Sequence, residues 1–155
     1  MATRTRGLTL IEVLTVVAVM AIVTAVAAPG MRTFGVSQKT KSMSYDLVSD
    51  LLTARSESLK RNRTVTVAPV GDSWATGWTV TAGTTVISQR QADLGSLAFE
   101  GAPSAISFNN FGRVSSPTDP VRMTVKAAEA GSQATQRCIE LDPSGYARSK
   151  LGSCP

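Results

Sequence analysis

Hydropathy divides the chain into three stretches. From Leu8 to Ala28 the residues are apolar or uncharged except for Glu12, and the run stops at Pro29-Gly30. From Gly30 to about Lys60, apolar residues recur mostly at three- and four-residue spacings: Met31, Phe34, Met43, Leu47, Val48, Leu51, Leu52 and Leu59. That is the period of an amphipathic helix. Lys39, Lys41, Asp46, Asp50, Arg55, Glu57 and Lys60 lie between them and predict a polar face. Because helical periodicity resumes directly after Pro29-Gly30, the proline predicts a kink and not an end. The combined helix of about 50 residues would be roughly 75–80 Å long at 1.5 Å per residue. Gly35 and Ser37 weaken the turns just beyond the kink.

From Arg63 the pattern changes to short runs rich in β-branched and aromatic residues. Thr64–Val67, Trp78–Thr81, Thr84–Ser88, Ala105–Phe108, Val121–Val125 and Arg137–Leu141 read as strands. Turn signals separate them, at Gly71-Asp72, Ala82-Gly83, Asn109-Asn110, Pro117–Pro120, Gly131-Ser132 and Asp142–Gly145. Glu129–Gln136 reads as a loop. One long helix followed by regularly spaced strands predicts an α+β fold, with an antiparallel sheet covering the apolar face of the helix.

The first stretch carries the sharpest chemistry. Twenty-one helical residues span roughly 30 Å, the thickness of a bilayer's hydrocarbon core. Arg4 and Arg6 precede the run, so the positive-inside rule leaves residues 1–7 in the cytoplasm and sends Gly30 onward outside. A charge inside such a run costs several kcal/mol, so Glu12 needs a partner and a role. A plain anchor leaves Glu12 unexplained. A secretory signal peptide cut after Ala25-Val26-Ala27 leaves it unexplained too, and the run exceeds the usual ~7–15 residue apolar core of such signals. The segment Gly7-Leu8-Thr9-Leu10-Ile11-Glu12 offers a third reading. It resembles the processing site of type IV pilins and type II secretion pseudopilins.

That resemblance implies cleavage between Gly7 and Leu8 by a prepilin peptidase on the cytoplasmic face, with N-methylation of Leu8 by the same enzyme. It implies a leader at 1–7, a transmembrane and filament-core helix at 8–29, and a periplasmic head at 30–155. The head comprises an amphipathic helix at about 30–61 and a β-rich region at 63–155. Glu12 becomes the fifth residue of the mature chain. In a filament it would meet the positive amine of Leu8 on a neighbouring subunit, so that a costly unpaired charge finds its partner only on assembly in register.

Other segments extend the likeness to the GspH/FimT/FimU family of minor pilins and pseudopilins. They are Ala54-Arg55-Ser56-Glu57…Lys60-Arg61-Asn62 at the end of the helix, Trp74…Gly77-Trp78, Phe108…Gly112-Arg113, and Cys138…Gly145 with Arg148 near the C-terminus. Lys60 and Arg61 also have a plain physical reading, as cations opposite the carbonyl end of the helix dipole. Trp74, Trp78 and Phe108 read first as core residues, since large aromatics mainly bury area. The family implies a type IV pilin-like fold, assembly with other minor pilins and the major pilin, and residence in the bacterial inner membrane before entry into a pilus or pseudopilus. The C-terminal cysteine pair places the chain nearer FimT and FimU than GspH.

Composition trims the alternatives. The chain has 155 residues and a net charge of +5. Setting aside Arg4, Arg6 and Glu12 leaves 14 cations and 10 anions beyond the kink, a surplus that permits contact with anionic surfaces without requiring it. With no histidine, imidazole catalysis and histidine metal ligation are excluded. No activated nucleophile, phosphate loop, cofactor motif or metal-ligand set is recognisable, so the chain reads as a non-enzyme. Glu140 and Asp142 lie on one strand face as paired carboxylates, although a turn at Asp142-Pro143 explains Asp142 equally well. Cys138 and Cys154 cannot form a zinc site alone, and in an exported chain they predict a disulfide.

Gly145-Tyr146-Ala147-Arg148-Ser149-Lys150 aligns with a Gly-Arg-x-Arg motif implicated in DNA binding by FimT-type pilins of natural transformation. Tyr146 replaces the first arginine. Arg148, Lys150 and Arg137 would neutralise phosphates of double-stranded DNA, and Tyr146 would stack on a base. The alternative is an edge strand with solvated cations, which guard sheet edges against aggregation. The local surplus from Arg137 onward is one positive charge.

Overall fold

The computed structural model describes residues 9–91, 95–129 and 131–155, with residues 26–29 as backbone only. Helix α1 runs from Leu10 to Arg61, 52 residues. Thr9 caps it in an extended conformation, its hydroxyl accepting the Glu12 N–H at 3.3 Å. Asn62 ends it in the left-handed region (φ 50°, ψ 41°), one of the few non-glycine residues that tolerate this geometry. The Arg63 N–H then reaches back to the Ser58 carbonyl at 3.2 Å.

The helix bends by 42° between Leu10–Ala25 and Gly30–Arg61. Pro29 lies in that break and lacks the N–H that would bond one turn back. Neither arm alone is long and apolar enough to cross a membrane; the bent pair together meets the length and composition. Through Gly35 and Ser37 the helix continues unbroken. Ser37 stays tied in, since its hydroxyl donates to the Thr33 carbonyl and accepts the Thr135 N–H.

Nine strands follow among the described residues: β1 Val65–Pro69, β2 Gly77–Ala82, β3 Thr85–Gln91, β4 Leu97–Glu100, β5 Ile106–Phe108, β6 Val114–Ser116, β7 Val121–Ala127, β8 Arg137–Leu141 and β9 Ala147–Leu151. They form two antiparallel sheets where one was expected. The first has the order β3-β2-β1-β5-β6 and the second β4-β7-β8-β9. β4, β6 and β9 fall outside the six strands read from the sequence, Ala147–Leu151 having entered only as an alternative edge strand; β4 and β6 are too short for a visible alternation. Residues 129 and 131–136 hold no helix or strand.

Both sheets bury their inner faces against the second half of α1. Leu47, Leu51 and Ala54 of the helix are fully buried with Val65, Val67, Trp78, Val80, Ile106, Phe108, Met123, Val125 and Ile139. Trp74 belongs to the same core, its indole N–H donating to the Pro103 carbonyl. The buried strip is narrower than the amphipathic pattern suggests, because Met31, Phe34 and Leu59 are more than half exposed. Its remaining positions are Thr40, Ser44, Asp50 and Ser58. Three of these turn their hydroxyls back onto helix carbonyls, which satisfies them without outside help.

Asp50 corrects the polar-face reading. It is only 9% exposed, and one carboxylate oxygen accepts from the Trp78 indole N–H and from Arg90 Nε, both at 2.8 Å. Asp50, with Asp46, holds the Arg90 guanidinium above its ordinary pKa, the bond to Asp50 contributing most. One helical carboxylate thus pins β2 and β3 to α1. Removing it strands a buried indole donor and leaves Arg90 with the longer contact to Asp46. Asp50→Ala is therefore expected to cost about 2–3 kcal/mol, and Trp78→Phe about 1 kcal/mol. The double variant should cost less than the sum, read from denaturant unfolding followed by tryptophan fluorescence.

Candidate functional site

Two surfaces carry the chemistry singled out in the sequence. The first is the N-terminal arm of α1. Every large apolar side chain from Leu10 to Val23 is between 49% and 78% exposed, so this arm has no covering element among the described residues. Thr15 and Thr24 donate their hydroxyls to the Glu12 and Met20 carbonyls, which hides them from an apolar environment. Glu12 sits in the first turn, where a negative charge complements the helix dipole. No side-chain partner for it exists among the described residues. Gly7 and Leu8, the expected cleavage pair, lie outside those residues.

The second surface is the β8–β9 hairpin. Its turn is closed by hydrogen bonds from the Asp142 N–H to the Tyr146 carbonyl and from the Gly145 N–H to the Asp142 carbonyl. The Asp142 carboxylate caps the Ser144 N–H at 2.8 Å, a bond that lowers its pKa below the ordinary carboxylate value. Asp142 is thereby a turn residue.

Alternation along β8 and β9 sorts the candidate cations onto opposite faces. Arg137 points inward and is buried, with Nε donating to Ser149 and Nη2 to the Tyr45 hydroxyl. Its guanidinium carbon lies 4.9 Å from the centre of the Tyr45 ring, a cation–π contact that fixes β8 to α1. Arg148 and Lys150 point outward. Both bind a single Glu140 oxygen, Arg148 at 2.7 Å and Lys150 at 2.9 Å. These bonds, that from Lys150 first, hold the Glu140 carboxyl below its ordinary 4.5. Tyr146 is 56% exposed beside Arg148. The structure therefore gathers Tyr146, Arg148 and Lys150 on one face and removes Arg137 to the other.

Cys138 and Cys154 form a disulfide. It draws the last residues over the outer face of the second sheet, where the Cys154 N–H donates to Thr124 Oγ1 at 2.9 Å. Lys60 and Arg61 both pair with Glu57, lowering its pKa, so they act locally at the end of the helix.

Three of the four segments that resemble the family motifs meet at one junction, the Trp74–Trp78 segment lying elsewhere against Pro103 and Asp50. The Asn109 side chain accepts the N–H groups of Phe111 and Arg113, and Asn110 donates to Asn62 at 3.1 Å. Gly112 lies against Arg55 and Leu59, and a Cβ on Gly145 would overlap the Gly112 carbonyl oxygen. The Val114 N–H donates to the Pro143 carbonyl at 3.1 Å, joining the edge of the first sheet to the turn of the second. These motifs hold helix end, sheet and hairpin together. Arg122, exposed on β7 opposite Glu140, was not singled out from the sequence; the alternation of Val121–Val125 around it was the available signal.

Residues 45–145 match the family described as type II transport protein GspH, and residues 3–28 match the prokaryotic N-terminal methylation motif. No curated protein matches the chain. Among solved structures, the fold is similar to the type IV minor pilin FimU of Pseudomonas aeruginosa. That likeness has a TM-score of 0.57 and 18% identity, covering 72% of this chain and 91% of FimU. It is also similar to the minor pseudopilin EpsH from the type 2 secretion system of Vibrio cholerae. There the TM-score is 0.50 and the identity 16%, covering 73% of this chain and 97% of EpsH.

Two outcomes are expected from this surface. Reduction of the disulfide, which closes a segment with a sequence separation of 16, should cost about 3 kcal/mol, read as a lower melting temperature with reductant. Glu140, with its pKa depressed, contributes stability that is complete above the ordinary carboxylate range and is lost as pH falls through the lowered value. Melting temperature should therefore hold down to about pH 5 and decline below it, and Glu140→Gln should make that decline shallower.

Proposed function

The chain belongs to the GspH family of minor pilins and pseudopilins, and from that premise we propose that it is a FimT/FimU-like minor pilin of a type IV pilus. A prepilin peptidase cuts after Gly7 and methylates Leu8. Residues 8–29 then hold the protein in the bacterial inner membrane as a single span, with the head in the periplasm. From the membrane it enters a filament, or starts one, by packing its bare helix against those of the major pilin and other minor pilins.

The observation that carries this reading is the uncovered arm of α1 with its lone carboxylate. An apolar surface of this extent needs lipid or other helices around it, and Glu12 has no partner among the described residues. Pairing with the amine of Leu8 on a neighbour would satisfy both groups at once. The preference for a pilus over a type II secretion pseudopilus rests on the C-terminal disulfide, through the family resemblance. Against a DNA-uptake role, Arg137 is buried against Tyr45, and Arg148 and Lys150 are held by Glu140.

In the native host, Glu12→Ala is expected to leave cleavage after Gly7 intact, seen as the mass of the mature chain. Incorporation into sheared filaments should fall at least about tenfold. Normal incorporation of that variant would sink the pairing. Loss of the protein should abolish piliation while type II secretion continues; the reverse outcome assigns it to secretion.

A further inference from the structure

The outer face of the second sheet holds a feature that assembly through α1 does not use. Arg122 on β7 stands opposite Glu140 on β8, which stands opposite Arg148 on β9, so that one row across three strands reads cation, anion, cation. Glu140 is already shared by Arg148 and Lys150. Arg122 is exposed, and its side chain makes no ion pair or hydrogen bond among the described residues. Arg122, Glu140, Asp142, Ser144, Tyr146 and Arg148 border a surface pocket of about 480 Å³.

We propose that this pocket docks an acidic segment of a partner protein, with a carboxylate of the partner seated on Arg122 and flanked by Arg148. An arginine fork receives a planar carboxylate through two parallel hydrogen bonds, and Arg122 has its full donor set free. Tyr146, rigid and half exposed at the mouth, supplies contact area and a hydroxyl, as tyrosines do at protein interfaces.

Charge decides between a peptide and a nucleic acid. Arg122, Arg148 and Lys150 against Glu140 and Asp142 leave a surplus of one, which a single carboxylate neutralises. Duplex DNA presents a phosphate charge about every 1.7 Å, and its affinity grows with the number of phosphates neutralised. Here Glu140 and Asp142 sit among the cations, where they would repel each further phosphate. The concave shape and mixed signs suit a short acidic peptide. This reading does not depend on the filament assignment, since it concerns only the head.

The test uses the full-length chain in detergent micelles at low salt. A fluorescent, end-blocked peptide with one glutamate among glycines and serines, and a fluorescent 12-base-pair duplex, serve as probes, read by anisotropy. The peptide is expected to bind. Arg122→Ala should weaken it about tenfold, and Lys60→Ala, which removes a cation that does not line the pocket, should not. Glu140→Gln should tighten binding severalfold, a gain that misfolding cannot mimic. An unchanged melting temperature in Arg122→Ala confirms that its loss is local. The proposal fails if the peptide does not bind, if Arg122→Ala matches Lys60→Ala, or if the duplex binds more tightly than the peptide through the same residues.

Discussion

The structure depends on the burial of one strip of α1, from Ser44 to Ser58, beneath two sheets at once. Leu47, Leu51 and Ala54 supply the apolar contact. Small self-satisfied residues on either side let both sheets approach the helix closely. Each sheet then adds a polar tie of its own. Asp50 fastens the first through Trp78 and Arg90, while Tyr45 and Ser44 fasten the second through Arg137 and Ser149. Without that strip, neither sheet has a second layer to cover its inner face.

The same helix serves two environments because its sequence changes period of burial at Pro29. Before the proline, apolar side chains surround the axis, and from Leu10 to Ala25 none is covered. After it, burial is confined to one side and polar residues take the other. The place of this division was legible in the chain, as were the α+β class and the disulfide, because all three follow from composition and spacing. Glu12 was legible for the same reason, as the single carboxylate in an uncharged run.

What escaped was tertiary in origin. Asp50 reads as a surface residue in any helical projection, and only the arrival of Trp78 and Arg90 makes its burial favourable. The split into two sheets is set by which strands find each other, and three- and four-residue strands such as β6 and β4 carry too little pattern to announce themselves. Arg137, Arg148 and Lys150 look alike as cations in sequence. Their separation onto opposite faces follows from the period-two geometry of β8 and β9, and the pairing of two of them with Glu140 needs the register Glu140 to Arg148. Alternation along β7 did mark Arg122 as outward, but nothing in the sequence showed that it would lack a partner.

The bend at residues 26–29 has a mechanical meaning. Contacts between the head and α1 are spread along the helix axis, from the Ser37 bond to Thr135 down to Asn62 against Asn110. A pull on the N-terminal arm therefore loads these contacts in shear, all together, and not one after another as in peeling. The 42° bend lies between the arm and that bonded region. A displacement of the arm that straightened the bend would be taken up partly there, while the tension on the bonded region would be the same. The proline thus divides an imposed movement between two places and leaves the load itself to be borne by the whole row of contacts at once.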